Sequence, residues 1–88
     1  MQRGVLQLTR EEVLALDTAF DWQNNSGSIF APKLQYAKEN LLDINELFVS
    51  EEDLELLLDS IAPVDPNNIP LSSTFEKIGL LLRQFRGA

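Results

Sequence analysis

The stretch Phe20–Leu34, FDWQNNSGSIFAPKL, decides how the chain is read. An apolar helix end at Phe20 runs into Asp21–Ser28, a polar run that is poor helix and good loop. The chain turns at Ser26-Gly27, sets one aliphatic residue (Ile29) two positions later, and restarts an apolar pattern at Leu34. Pro32 suits the first turn of the helix that follows. The stretch reads as a helix–loop–helix hinge.

Upstream, Thr9-Arg10-Glu11-Glu12 has the form of a capping box, in which the hydroxyl and the carboxylate each satisfy an end of the helix backbone. Val13, Leu16 and Phe20 then recur as one helical stripe, with Leu14 beside it. Met1–Leu8 forms a short lead-in whose Val5, Leu6 and Leu8 are available to pack. Downstream of the hinge, Leu34, Ala37 and Leu41 make the inner stripe of a second helix.

Asp43–Val49 connects to a second half of the same design. Ser50-Glu51-Glu52-Asp53 is another helix start, with an acidic first turn that suits the helix dipole. Leu54, Leu57, Leu58 and Ile61 follow as a core face. Pro63, Pro66 and Pro70 bracket an Asn-rich loop, and Ser72 or Ser73 starts a last helix carrying Phe75, Ile78, Leu82 and Phe85. A shift of 41 residues pairs the halves without a gap: Leu6 with Leu47, Thr9 with Ser50, Val13 with Leu54, Leu34 with Phe75 and Leu41 with Leu82. The units are about 6–46 and 47–87 of a single domain, packed face to face because neither alone buries its stripe.

With 88 residues, the chain buries a modest core. The net charge of −7 is shared between the halves, which argues against a phosphate backbone and for a basic partner. Cysteine and histidine are both missing, so thiolate and imidazole chemistry and ordinary zinc sites are excluded. No pair of carboxylates is set up for acid–base work, and the expectation is that the chain is not an enzyme. No apolar run reaches the roughly 18–20 residues of a membrane span and no signal-peptide core is seen, so a soluble cytoplasmic protein is expected, with neither membrane nor nucleic acid among its partners.

The run LTREEVLALDTAFD, followed by GSI and KL, resembles the first helix, loop and exit of an EF-hand of the calmodulin superfamily. VSEEDLELLLDSI and FEKIGLLL are similar in layout. The resemblance implies an all-α fold: a four-helix lobe of two helix–loop–helix units, with a short β-bridge between the loops. It does not extend to the metal. With Gly27 sixth in the loop, Asn24 is third, Ser26 fifth and Ile29 eighth, where a bridge residue belongs. The first position then falls on Trp22, and the twelfth is Lys33, a cation where calcium needs a bidentate carboxylate. In the second loop Asp65 and Glu76 have first-to-twelfth spacing with Asn67 third, but Pro70 takes the glycine position. No metal or cofactor is expected; a calcium sensor stays open only through an unusual site at Asp65–Glu76.

Several apolar residues fall outside one buried stripe: Phe48 in the connector, Leu56 beside the third helix's face, and Leu80 and Leu81 off the last one's. Broad buried faces account for them, and so does an open groove for an amphipathic helix of a partner. A homodimer that buries the surplus leucines also fits. The expectation adopted is calcium-independent binding of a basic amphipathic helix, as the resemblance implies for the metal-free lobes of myosin light chains or the C-terminal domain of α-actinin. Phe48, Leu56, Leu80, Leu81 and Phe85 would line the groove, with Glu51, Glu52 and Glu55 as charge partners. The alternative is a small acidic inhibitor or immunity-type protein that blocks a basic surface of its target.

Overall fold

A computed structural model describes residues 3–87, without the side chain of Arg3. Met1 and Gln2 of the expected lead-in lie outside the described residues. The elements run β1 (Arg3–Thr9), α1 (Arg10–Ala19), α2 (Trp22–Asn25), α3 (Phe30–Glu39), β2 (Ile44–Ser50), α4 (Glu51–Ile61) and α5 (Ile69–Gly87). The architecture is mixed α/β, which corrects the all-α four-helix lobe. The lead-in and the connector are not linkers: they pair as a two-stranded antiparallel sheet. No β-bridge joins the two loops among the described residues, and Ile29, the expected bridge residue, is exposed ahead of α3.

The strands form because each half alternates. In β2, Asn45, Leu47 and Val49 are buried while Ile44, Glu46 and Phe48 face out; in β1, Leu6 and Leu8 are buried. The ladder sets Leu6 opposite Leu47, Val5 opposite Phe48 and Gln7 opposite Glu46. Leu6 and Leu47 are also the residues that the 41-residue shift makes equivalent, so exchanging the halves maps the register onto itself. A two-stranded ribbon is marginal alone, and here the helices bury one side of it.

Each strand runs directly into a helix. Thr9 ends β1 and caps α1: its hydroxyl accepts from the Glu12 N–H and its own N–H donates to Glu12 Oε1 at 2.8 Å. Ser50 ends β2 and caps α4 in the same way with Asp53. Both capping boxes read from the sequence are present. The core they introduce holds Val13, Leu16 and Phe20 from α1, Phe30, Leu34 and Ala37 from α3, Leu54, Leu57 and Ile61 from α4, and Leu71, Ile78 and Leu82 from α5.

One helix start after a loop keeps Pro32 in its first turn as expected, and the other differs. α3 begins at Phe30, because the Phe30 ring is fully buried against Phe20 and the Ser28 hydroxyl accepts from the Ala31 N–H. α5 begins at Ile69 rather than Ser72, because the Asn68 side chain accepts from the Leu71 N–H and Pro70 falls in the first turn, where a missing N–H costs nothing. The hinge also holds a helical turn, α2, started by the Asp21 carboxylate accepting from the Asn24 N–H. Trp22 is packed there: its indole N–H donates to Asp17, and the Lys38 ammonium sits 5.0 Å from the ring centroid.

Gly79 lies inside α5, and a Cβ added there would meet nothing within 4 Å. No close helix approach depends on it. Gly79→Ala therefore raises stability by about 0.5–1 kcal/mol through helix propensity, seen as a higher urea midpoint. A midpoint that stays or falls would show that the position is constrained.

Candidate functional site

The outward side of the sheet carries exposed hydrophobic side chains from both strands. Val5 and Phe48 are cross-strand partners and both are exposed, Phe48 at 63%. Beside them, the Gln7 side-chain amide donates to the Glu46 carboxylate at 3.2 Å. α3 flanks the β2 side, where the residues lining a groove of about 420 Å³ include Pro32, Lys33, Tyr36, Ala37, Leu42, Glu46 and Phe48; the Lys33 ammonium is held by Asp53. α5 flanks the β1 side, and a second groove runs there between Val5, Gln7, Glu46, Lys77, Leu80 and Leu81. Glu46 borders both, so the surface is one trough with the sheet as its floor.

The expected groove residues divide over this frame. Phe48, Leu80 and Leu81 come together on the trough. Leu56 does not join them; with Glu52 it lines a separate, smaller hollow beside Ser28, Ile29 and Lys33. Phe85 packs over Gly4, where an added Cβ would come 2.8 Å from the ring, so it anchors α5 on β1. Glu51 and Glu55 are occupied by Arg86 near the end of α5. Tyr36, Val5 and Leu42 belong to the trough and are absent from the expected set. The strand register places Val5 there, and the position of α3 and of the segment after it places Tyr36 and Leu42.

The expected loop residues have structural partners. Lys33 reaches Asp53 at 2.8 Å, and Asp65 accepts from the Asn67 N–H. Among the described residues no three acidic side chains gather as a metal site would need.

Electrostatics add a direction. Arg10, Lys33, Lys38, Lys77 and Arg86 are all tied to acids. Glu39, Glu46, Glu52 and Glu76 have no cation in contact among the described residues, so the surplus charge stays outward. Comparison with protein-family models, with curated proteins and with solved structures finds no match.

The other cluster of ionisable groups sits behind the trough. Glu12 is buried; it accepts from Lys77 Nζ at 2.6 Å, from the Ser73 hydroxyl at 2.6 Å and from the Thr9 N–H. Burial pushes its carboxyl up, but these bonds and the lysine charge together hold it below the usual range. Its folded-state pKa lies under the unfolded one. The stabilisation is therefore present above the unfolded value of roughly 4.3 and is lost as the pH falls through the depressed value. Glu12→Gln should cost about 1–3 kcal/mol at pH 7, with the gap to the unsubstituted chain closing in the acid range. Urea unfolding at pH 7 and pH 3 measures it; an equal gap at both would remove the carboxylate's charge from the account.

Proposed function

We propose that this chain is a non-enzymatic protein-interaction module that binds a basic, apolar segment of a partner protein, independently of calcium, on the outward face of its sheet. The observation that carries the reading is where the exposed hydrophobics lie. Of the nine large ones among the described residues, Val5, Tyr36, Leu42, Phe48 and Leu80 line the trough. A small domain rarely leaves a contiguous apolar patch uncovered unless something docks on it. The trough offers a pocket-like groove at one side and Glu46 near its centre, which suits an apolar anchor next to a cation. Glu12, whose pKa is displaced, is engaged in holding helices together, which supports a binding rather than a catalytic reading.

The test is selection of binding peptides from a displayed library of random sequences, followed by variants of the chain. Phe48→Glu should weaken the selected peptides at least tenfold, about 1.4 kcal/mol or more. Leu56→Glu and Glu52→Lys, in the separate hollow, should leave affinity within twofold, and a chelator should change nothing. Phe48 is exposed, so circular dichroism of Phe48→Glu should match the unsubstituted chain. Loss of binding with Glu52→Lys but not with Phe48→Glu would transfer the function to the acidic surface, as an inhibitor requires.

A further inference from the structure

The direction of the strand backbones can be read from three hydrogen bonds. The Thr9 N–H donates to Glu12, the Ser50 N–H donates to Asp53, and the Gln7 carbonyl accepts from Lys77 Nζ at 3.0 Å. All three groups point away from the partner strand. In an antiparallel ladder the N–H and C=O of one residue point to the same side, and the side alternates along the strand. With the register Thr9–Ile44, Gln7–Glu46 and Val5–Phe48, the backbone groups of Ile44, Glu46 and Phe48 must then face the free edge of β2.

The two edges are not alike. On β1, Lys77 takes the Gln7 carbonyl, and Leu81 and Phe85 cover Gly4. On β2, no hydrogen bond among the described residues reaches the main chain of Glu46 or Phe48 from outside the ladder. The groove beside α3 runs along this edge: Asn45, Glu46, Leu47 and Phe48 form one wall, and Pro32, Lys33, Tyr36, Ala37 and Asn40 form the other, with the Lys33 ammonium paired to Asp53. A row of N–H and C=O groups beside an apolar groove is the setting for strand addition.

We infer that the partner segment binds in extended form, as a third strand antiparallel to β2, hydrogen-bonded to the main chain of Glu46 and Phe48. This rests on the binding face proposed above. Side chains on neighbouring strands stand side by side, which fixes the recognised pattern. The residue beside Phe48 is apolar, since it lies between that ring and Tyr36. The residue two positions later stands beside the Glu46 carboxylate and is Lys or Arg. The residue between them turns inward towards Ala37 and Leu47 and is small and apolar. The pattern is apolar–small–cation. A second copy of the chain fits less well than a basic segment, because two molecules of charge −7 repel and Glu46 sits on the edge they would share.

Amide hydrogen exchange by NMR tests the inference, first on the free chain and then with the tightest peptide selected as above. In the free chain, Asn45, Leu47 and Val49 should exchange slowly, and Glu46 and Phe48 at least tenfold faster. With the peptide bound, Glu46 and Phe48 should slow at least tenfold, and the peptide should show cross-strand contacts to them and the apolar–small–cation order. A peptide that needs Phe48 but binds as a helix, with the two amides still fast, would overturn strand addition and leave the binding face standing. An empty selection, or binding indifferent to Phe48→Glu, would overturn both. Slow exchange at Glu46 and Phe48 in a free chain that sediments as a dimer would show the edge already filled by a second copy, and would overturn the inference too.

Discussion

A carboxylate buried where a strand becomes a helix needs donors, and the local chain supplies only some of them. Glu12 and Asp53 each accept from the backbone of their own capping residue, Thr9 or Ser50. The remaining demand is met from the other half: Lys77 of α5 reaches Glu12, and Lys33 of α3 reaches Asp53. Removing either lysine from the folded chain would leave a buried acid without its cation, which costs more than the pair gains by forming. The ties therefore act chiefly on which arrangement is adopted. They hold α3 and α5 across the molecule, one beside each edge of the sheet, and that placement makes the trough.

The helices and their starts were legible because their signals are local. Thr9–Glu12 and Ser50–Asp53 are complete capping boxes within four residues, and the stripes Val13–Leu16–Phe20 and Leu54–Leu57–Ile61 have helical spacing over a long enough run to count. The 41-residue offset was also visible, and β1 shifted by it spans the same positions as β2. The strands were not legible. Each has seven residues, and Val5 and Phe48 put apolar side chains on the outward face, which spoils the period-two pattern. What stabilises the ribbon is pairing over a long separation together with helices on one side, and neither shows in a short window. Half of the site was missed for the same reason. Phe48, Leu80 and Leu81 stand out as surplus hydrophobics, but whether Val5 and Tyr36 join them depends on register and on where α3 lies.

The site falls where the halves stop being alike. The offset makes Val5 equivalent to Glu46 and Gln7 equivalent to Phe48, so the symmetric register turns one apolar cross-strand pair into one polar pair. The floor of the trough is thus apolar at one end and polar at the other, and a ligand has a direction on it. The same offset makes Tyr36 equivalent to Lys77. Lys77 spans to Glu12 and to the Gln7 carbonyl, and so closes the β1 edge. Tyr36 is largely exposed and makes no comparable reach, so the β2 edge stays open among the described residues. On the other helix the tie to the capping acid comes from Lys33, about one turn earlier than Tyr36; it lines the groove, but its ammonium is held by Asp53. The second half thus uses Lys77 both to hold the fold and to cover the edge of the first half's strand, while the lysine of the first half only holds the fold. That difference leaves an apolar, hydrogen-bonding edge free for another chain.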